Sequence, residues 1–227
     1  MPNVYTFKDF EGSSHRLLIE LVGRYRRRGG RLLDLGAAGG ELGNALRARF
    51  DETIGFEYNV DCIGTLRGCF DHVAIADLER VTELPPDVDA IVLADVLEHL
   101  RDPARVLKLV HNSLKDDGHA FISVPNIANI TIRFGLLLGI FEYRDRGILD
   151  ETHVRFYTQR SFRREIEAAG FRILTTRGTS MPIRLKLEGY VPNPILRIGE
   201  RLLSWITPLW RSLFAYQIVV VAVKAER

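Results

Sequence analysis

The chain has 227 residues, 46% hydrophobic and 26% charged, so it can bury a core and is not disordered. Its 31 Lys and Arg against 29 Asp and Glu leave a formal charge of +2, which excludes a strongly basic nucleic-acid binder. At roughly 150 residues per domain, one α/β domain over 1–227 with appended elements fits better than two full domains.

The local run Arg24, Arg26, Arg27 and Arg28 reads as the solvated end of a helix. Two cysteines, Cys62 and Cys69, give neither a disulfide framework nor a cysteine zinc site, and both read as small packing residues. Residues Met1 to Glu11 are polar and lack the apolar core of a signal peptide, so a cytoplasmic setting is expected. The stretch Leu202 to Val223 is apolar but holds Pro208 and Arg211, and it reads as a buried helix, a loop and a strand.

Short apolar runs alternate with helical patterns, which predicts a doubly wound, mostly parallel sheet. Strands are expected at Arg31 to Leu35, Thr53 to Glu57, His72 to Ala76, Val88 to Ala94, His119 to Val124, Phe171 to Thr176 and Tyr216 to Ala225. Helices are expected at Glu41 to Phe50, Asn59 to Cys69, Asp102-Pro103 to Leu114, and from a Ser161 cap to Ala169. Two long segments break the rhythm: an insert over 126–158 and a cap over 178–214. Connections of that length are usually functional or carry structure of their own.

The turn after the first strand reads Leu33-Asp34-Leu35-Gly36-Ala37-Ala38-Gly39-Gly40-Glu41. It fails the G-x-G-x-x-G spacing of a dinucleotide loop, and no G-K-[ST] follows as a phosphate loop needs. A Glu at the helix start would repel a pyrophosphate, which leaves an adenosine-bearing ligand without phosphate. Glu57 ends the second strand about 20 residues on, where a carboxylate accepts from ribose hydroxyls, with Tyr58 beside it. Asp77, followed by Leu78, ends the third strand, and Asp95 ends the fourth. Each of these acids has a plainer reading as a turn cap or surface carboxylate.

Together these residues resemble the class I S-adenosylmethionine-dependent methyltransferases. The glycine turn is similar to their first motif, although Ala37-Ala38 replaces the usual pair there. Asp95-Val-Leu-Glu-His-Leu100 is similar to their fourth motif, and Leu114 to His119 with Ser123-Val-Pro-Asn126 resembles the approach to their fifth strand. The resemblance implies a Rossmann-like seven-stranded sheet in the order 3-2-1-4-5-7-6 with the last strand antiparallel. It also implies S-adenosylmethionine as cofactor, with the backbone around Gly36, Ala37 and Gly39 facing its methionine part, while Asp34 either contacts the cofactor or caps the loop backbone. Glu57 would hold the ribose, and Asp77 with Leu78 the adenine.

His99 lies just past the fourth strand, where an acceptor would lose its proton, and imidazole titrates near neutrality. His153 lies in Thr152-His-Val-Arg-Phe-Tyr-Thr158, a pattern that resembles methyltransferases of polysaccharide and lipopolysaccharide clusters. His153 is the preferred base and His99 the second candidate. Arg155 either fixes an acidic group of the substrate or pairs with Asp150 or Glu151, and Asn126 is a candidate substrate contact. Tyr5 and His15 either close over the cofactor or pack. No His-x-x-x-His or His-x-x-Glu spacing appears, so no metal is expected.

The expected function is methyl transfer to a small-molecule or glycan acceptor, with a sugar hydroxyl preferred. The alternatives are a non-catalytic module that keeps the cofactor, or an N- or C-methyltransferase. The Asn-Pro-Pro-Tyr motif of base methyltransferases is absent at the fourth strand, so no nucleic-acid partner is expected. The apolar segments Phe134 to Phe141 and 195–214 leave several readings open: an acceptor wall, cover for the sheet, contact with a membrane or lipid-linked substrate, or pairing of two copies.

Overall fold

A computed structural model describes residues 13–183 and 189–226. Seven strands form one sheet in the order β3-β2-β1-β4-β5-β7-β6. They are β1 (Arg31–Leu35), β2 (Glu52–Glu57), β3 (His72–Ile75), β4 (Val88–Ala94), β5 (Leu114–Pro125), β6 (Phe171–Gly178) and β7 (Gln217–Lys224). Strands β1 to β5 pair in parallel, and β7 runs antiparallel between β5 and β6. The order and the antiparallel strand are those expected. The register shifts between Val88 and Ala90 where β5 carries its Asp116-Asp117-Gly118 turn, so that strand begins earlier than the sequence suggests.

Alternation along the central strands builds two cores. Leu33, Leu35, Ile91, Leu93, Ile122 and Val220 face one side and are fully or almost fully buried. Leu32, Ala90, Val92, Phe121, Val219 and Val221 face the other. This period of two is what covering both faces of a sheet demands. Helices α4 (Pro103–Ser113) and α6 (Gln159–Ala168) bury Val106, Leu107, Val110, Phe162 and Ile166 in the first core. Helices α1 (Ser14–Tyr25) and α2 (Glu41–Arg47) bury Leu18, Leu21, Val22, Leu42 and Leu46 in the second. Helix α3 (Ile63–Cys69) follows a short 3-10 turn, Val60–Cys62, and seats Leu66 against Phe70.

Caps differ in part from expectation. Asp102 caps α4 by accepting from the Arg105 N–H at 3.0 Å, with Pro103 opening the helix. For α6 the cap is Thr158, one turn earlier than expected. Ser161 completes a capping box by accepting from the Thr158 N–H at 2.9 Å. Arg26 is not a solvated helix end. Its side chain is 13% exposed and reaches the buried Asp89 at 2.9 Å.

The insert holds α5 (Ile130–Leu137), and the cap holds α7 (Asn193–Ile206) and α8 (Arg211–Phe214). Helix α7 is not the buried helix expected from sequence: only Leu196 is buried, while Ile198, Leu202 and Trp205 face outward. Helix α5 has no buried residue. Among the described residues no helix is long and apolar enough to cross a membrane. Tyr5 lies outside the described residues, and His15 sits in the first turn of α1.

Candidate active site

The carboxyl ends of β1, β2 and β4 meet at the glycine turn, where an open α/β sheet places its ligand. Gly36 and Ala37 both donate to the Phe56 carbonyl at 2.9 Å, and Gly40 donates to the Ala37 carbonyl at 2.7 Å. These amides are therefore spent on the protein's own backbone, and the turn offers a ligand its shape more than its donors. Gly36 has φ +77°, and a Cβ there would meet Val96 Cγ2 at 2.6 Å. The turn thus packs directly on the loop that follows β4. Ala38 also lies in the left-handed region, at φ +48°. Its N–H donates to Glu57 Oε2 at 2.7 Å, and the Asn59 N–H donates to Oε1 at 2.8 Å. Glu57 is thereby fixed at the rim, and each carboxylate oxygen keeps a lone pair for a hydroxyl. Tyr58 beside it is 76% exposed.

Asp34 lies under the turn at 2% exposure, and its Oδ2 has no hydrogen-bond partner. Burial, and then the charge of Glu57, push its carboxyl up to about 7. A buried carboxylate oxygen in that state suits a cationic donor. S-adenosylmethionine carries an ammonium, and these residues fit it: an orphaned acid under a Cβ-free turn, with a fixed carboxylate on the neighbouring strand.

Asp77 does cap a turn, accepting from the Glu79 N–H at 2.9 Å, with Arg80 at 3.5 Å. Leu78 packs against the first core while its carbonyl accepts from Arg105. Both stand at the third strand's end, as expected. Asp95 does not cap the turn after β4. Its backbone adopts φ +56°, and its carboxylate accepts from Ser123 Oγ at 2.7 Å and from Gln217 Nε2. It ties β4 to β5 and β7, and such a conformation in a non-glycine residue recurs at functional sites.

The loop after β4 meets the insert through a docking that sequence spacing did not reveal. The 3-10 turn Leu97–His99 follows Asp95, and the Glu98 carbonyl accepts from the Val154 and Arg155 N–H groups at 2.9 and 3.0 Å. That pair of bonds lays His153 against His99, ring centroids 4.8 Å apart, edge to face. His153 Nδ1 contacts the Ile148 carbonyl at 3.1 Å, and His99 Nδ1 the Thr152 carbonyl at 3.3 Å. Burial, and next the neighbouring His99, hold His153 below the ordinary imidazole value, which favours its neutral form. The carboxylate of Glu98, 1% exposed, joins the two rings. Among the described residues a cluster of metal-ligand type does therefore converge, contrary to the reading of the spacings.

Two expected substrate contacts are placed otherwise. Asn126 is fully buried, donating to the Ala215 carbonyl at 2.9 Å and accepting from the Ala128 N–H, so its side chain is scaffold. Arg155 braces the Arg101 carbonyl through Nε and Nη2 and pairs with neither Asp150 nor Glu151. Sequence reasoning missed Ser123 and Gln217 around Asp95, and Asn129, whose Nδ2 donates to the Ala215 carbonyl at 2.9 Å. It also missed a pocket of about 210 Å³ beneath α5, lined in part by Ile140, Arg144, Arg146, Ile148 and Tyr216.

A seven-stranded sheet in this order, with a glycine turn, a fixed carboxylate on the neighbouring strand and an imidazole pair nearby, is of the Rossmann-like class. The methyltransferase domain family matches residues 10–176, and the chain belongs to that family, the S-adenosylmethionine-dependent methyltransferases. The ubiquinone biosynthesis O-methyltransferase of Aeromonas salmonicida is 28% identical over 151 residues, 63% of this chain and 63% of that protein. The chain thus spans under two thirds of that relative. An S-adenosylmethionine-dependent methyltransferase from Clostridium acetobutylicum superposes with a TM-score of 0.64 at 14% identity, covering 96% of this chain and 94% of that one. One from Archaeoglobus fulgidus gives 0.61 at 20% identity, covering 92% and 94%. These two likenesses concern the fold.

Proposed function

We propose that this protein is a cytoplasmic enzyme that methylates a hydroxyl of a small-molecule or glycan acceptor, a sugar hydroxyl before others. The observation that carries this is the His99–His153 pair at the end of β4, one loop away from the Gly36 turn. When bound, S-adenosylmethionine supplies a methyl carbon made electrophilic by its sulfonium. The chain's own work is then to orient the acceptor, exclude water and take the proton. The Ile148 carbonyl accepts only, so His153 Nδ1 carries the ring proton and Nε2 the lone pair. A neutral imidazole so fixed can take the hydroxyl proton during attack.

Around this base the insert supplies the acceptor's surroundings. Ile148 touches both His153 and the pocket that Arg144 and Arg146 line, which favours an acceptor bearing hydroxyls and an anionic group. The outward apolar residues of α5 and α7 favour an acceptor on a lipid carrier or at a membrane surface. The name of the Aeromonas relative supports O-methylation, with an apolar acceptor as the second reading.

Calorimetric titration with S-adenosylhomocysteine, followed by methyl transfer assays on nucleotide sugars and lipid-linked glycans, tests the reading. Absence of binding rejects a cofactor-dependent enzyme. Binding with no turnover on any hydroxyl acceptor favours a non-catalytic module or an amine or carbon acceptor.

A further inference from the structure

We propose that Glu98, His99 and His153 form a binding site for a divalent transition-metal ion on the acceptor side of the sheet. One ligand atom from each residue lies within 4.8 Å of the others. Two imidazoles and a carboxylate form a donor set suited to Zn²⁺ and its neighbours, with coordination positions left open.

The arrangement around the rings supports this use. Both Nδ1 atoms sit against backbone carbonyls, of Ile148 and of Thr152. A carbonyl only accepts, and Thr152 Oγ1, 3.2 Å from His99 Nδ1, gives its own proton to Asp150, so the tautomer protonated at Nδ1 suits both rings. Histidines that bind metals donate their second N–H in this way, which fixes tautomer and ring orientation. The positions of the ligands are set by main chain as well, because Val154 and Arg155 dock on the Glu98 carbonyl. Ligand atoms at about 2.1 Å from a tetrahedral ion lie about 3.4 Å apart, so closure asks for shifts of about an ångström. His99 is half-buried, which leaves the ion a route in. With the ion bound, His153 Nε2 is a ligand and not the base, and an acceptor oxygen at an open position would instead be acidified by the ion.

This goes beyond methyl transfer, since ion binding is read without turnover. The full chain, stripped with a chelator, is titrated with Co²⁺ while visible absorption is followed, and S-adenosylhomocysteine binding is measured on the same samples. The expected result is a saturable one-to-one cobalt band displaced by Zn²⁺. His99→Ala and His153→Ala should weaken it at least about tenfold while still binding S-adenosylhomocysteine. His72→Ala, on the exposed end of β3, should leave it unchanged. Should His153→Ala fail to fold, His99→Ala and His99→Asn decide. A wild-type chain that binds S-adenosylhomocysteine but gives no such band overturns the proposal. So does a band that survives loss of His99. Cobalt binding without S-adenosylhomocysteine binding would instead sink the cofactor reading and leave the metal site standing.

Discussion

His153 meets His99 edge to face with ring centroids 4.8 Å apart, although the two belong to separate segments of the chain. The contact exists because the Glu98 carbonyl accepts two N–H groups from the segment that carries His153. Replacing His153 with Ala should lower kcat by roughly 10² to 10⁴-fold if that ring takes the acceptor proton. Affinity for S-adenosylhomocysteine should stay within error, because no side chain of the cofactor cleft is altered. The rate profile of the wild type should rise through a pH below the ordinary imidazole range, since burial holds His153 down. Unchanged turnover of His153→Ala at every pH would remove it from the chemistry.

With Asp34 beside the cofactor's ammonium, as proposed, binding is linked to protons. Burial and the charge of Glu57 push the Asp34 carboxyl up to about 7 from 3.8, and an arriving ammonium would favour its ionised form. Binding should therefore release protons near neutrality and tighten as the pH rises from about 6 to about 8. For stability the sign is the reverse. A carboxyl raised in the folded state costs stability as the pH climbs from 3.8 towards 7, because the unfolded chain ionises first. Asp34→Asn should therefore raise the melting temperature of the cofactor-free protein at pH 8 while weakening S-adenosylhomocysteine. Calorimetry in buffers of different ionisation enthalpy checks the first part and thermal melts the second. Proton-neutral binding at pH 7 would contradict the placement of Asp34 beside the ligand.

Much of this was legible in the amino-acid order, and what was not has a physical cause. Leu32 to Leu35 and Ala90 to Leu93 announce central strands because both faces of the sheet are buried, and that pattern is local. The places of the glycine turn and of Glu57 at strand ends could be read because strand ends and backbone conformation are also local properties. The convergence of Glu98, His99 and His153 was not, since it depends on main-chain bonds between distant segments. Nor could spacing separate Asn126 as scaffold from Asn126 as ligand contact. Only the Ala215 carbonyl, brought in by the cap, decides where its amide points.

Gly36 is a position where backbone and packing agree. Its φ of +77° is unfavourable for any side chain, and an added methyl would strike Val96 Cγ2. Gly36→Ala should destabilise the protein by about 1 to 3 kcal/mol and displace the turn from the cleft. S-adenosylhomocysteine affinity should fall more than the melting temperature alone would suggest. A variant with wild-type affinity would mean that the turn does not shape the cofactor site.

Asp89 anchors the amino-terminal end of the central strand β4, at the opposite end from the cleft. It accepts from the Arg31 N–H at 2.8 Å, from Arg26 at 2.9 Å and from Lys115 at 2.9 Å. Burial alone would raise its carboxyl, but these donors outweigh it and hold the group below the usual range. That stability is present above the unfolded value and is lost as the pH falls through the folded one. Asp89→Ala should cost about 1 to 3 kcal/mol, because Lys115 and the Arg31 N–H lose an acceptor, while Arg26 keeps the Asp117 carbonyl at 2.9 Å. Denaturant unfolding measures this. Because the site lies elsewhere, S-adenosylhomocysteine affinity of the folded fraction should not change.

The outward faces of α5 and α7 make the last prediction. Leu137, Leu138, Ile198, Leu202 and Trp205 are all at least 60% exposed, with Trp205 at 81%. Asn129 opens α5 and donates to the Phe214 and Ala215 carbonyls, so α5 joins the end of α8. Exposed apolar area of this kind favours a lipid or protein surface over water. Arg133 on α5 and Arg197 and Arg201 on α7 favour anionic headgroups among lipids. The protein should sediment with vesicles containing phosphatidylglycerol, and less with pure phosphatidylcholine. Binding should weaken as salt rises. Leu202→Glu with Trp205→Glu should abolish it without changing S-adenosylhomocysteine affinity. If the double variant sediments like the wild type, lipid contact is excluded. If light scattering instead shows a dimer that the same changes dissociate, the face joins two copies.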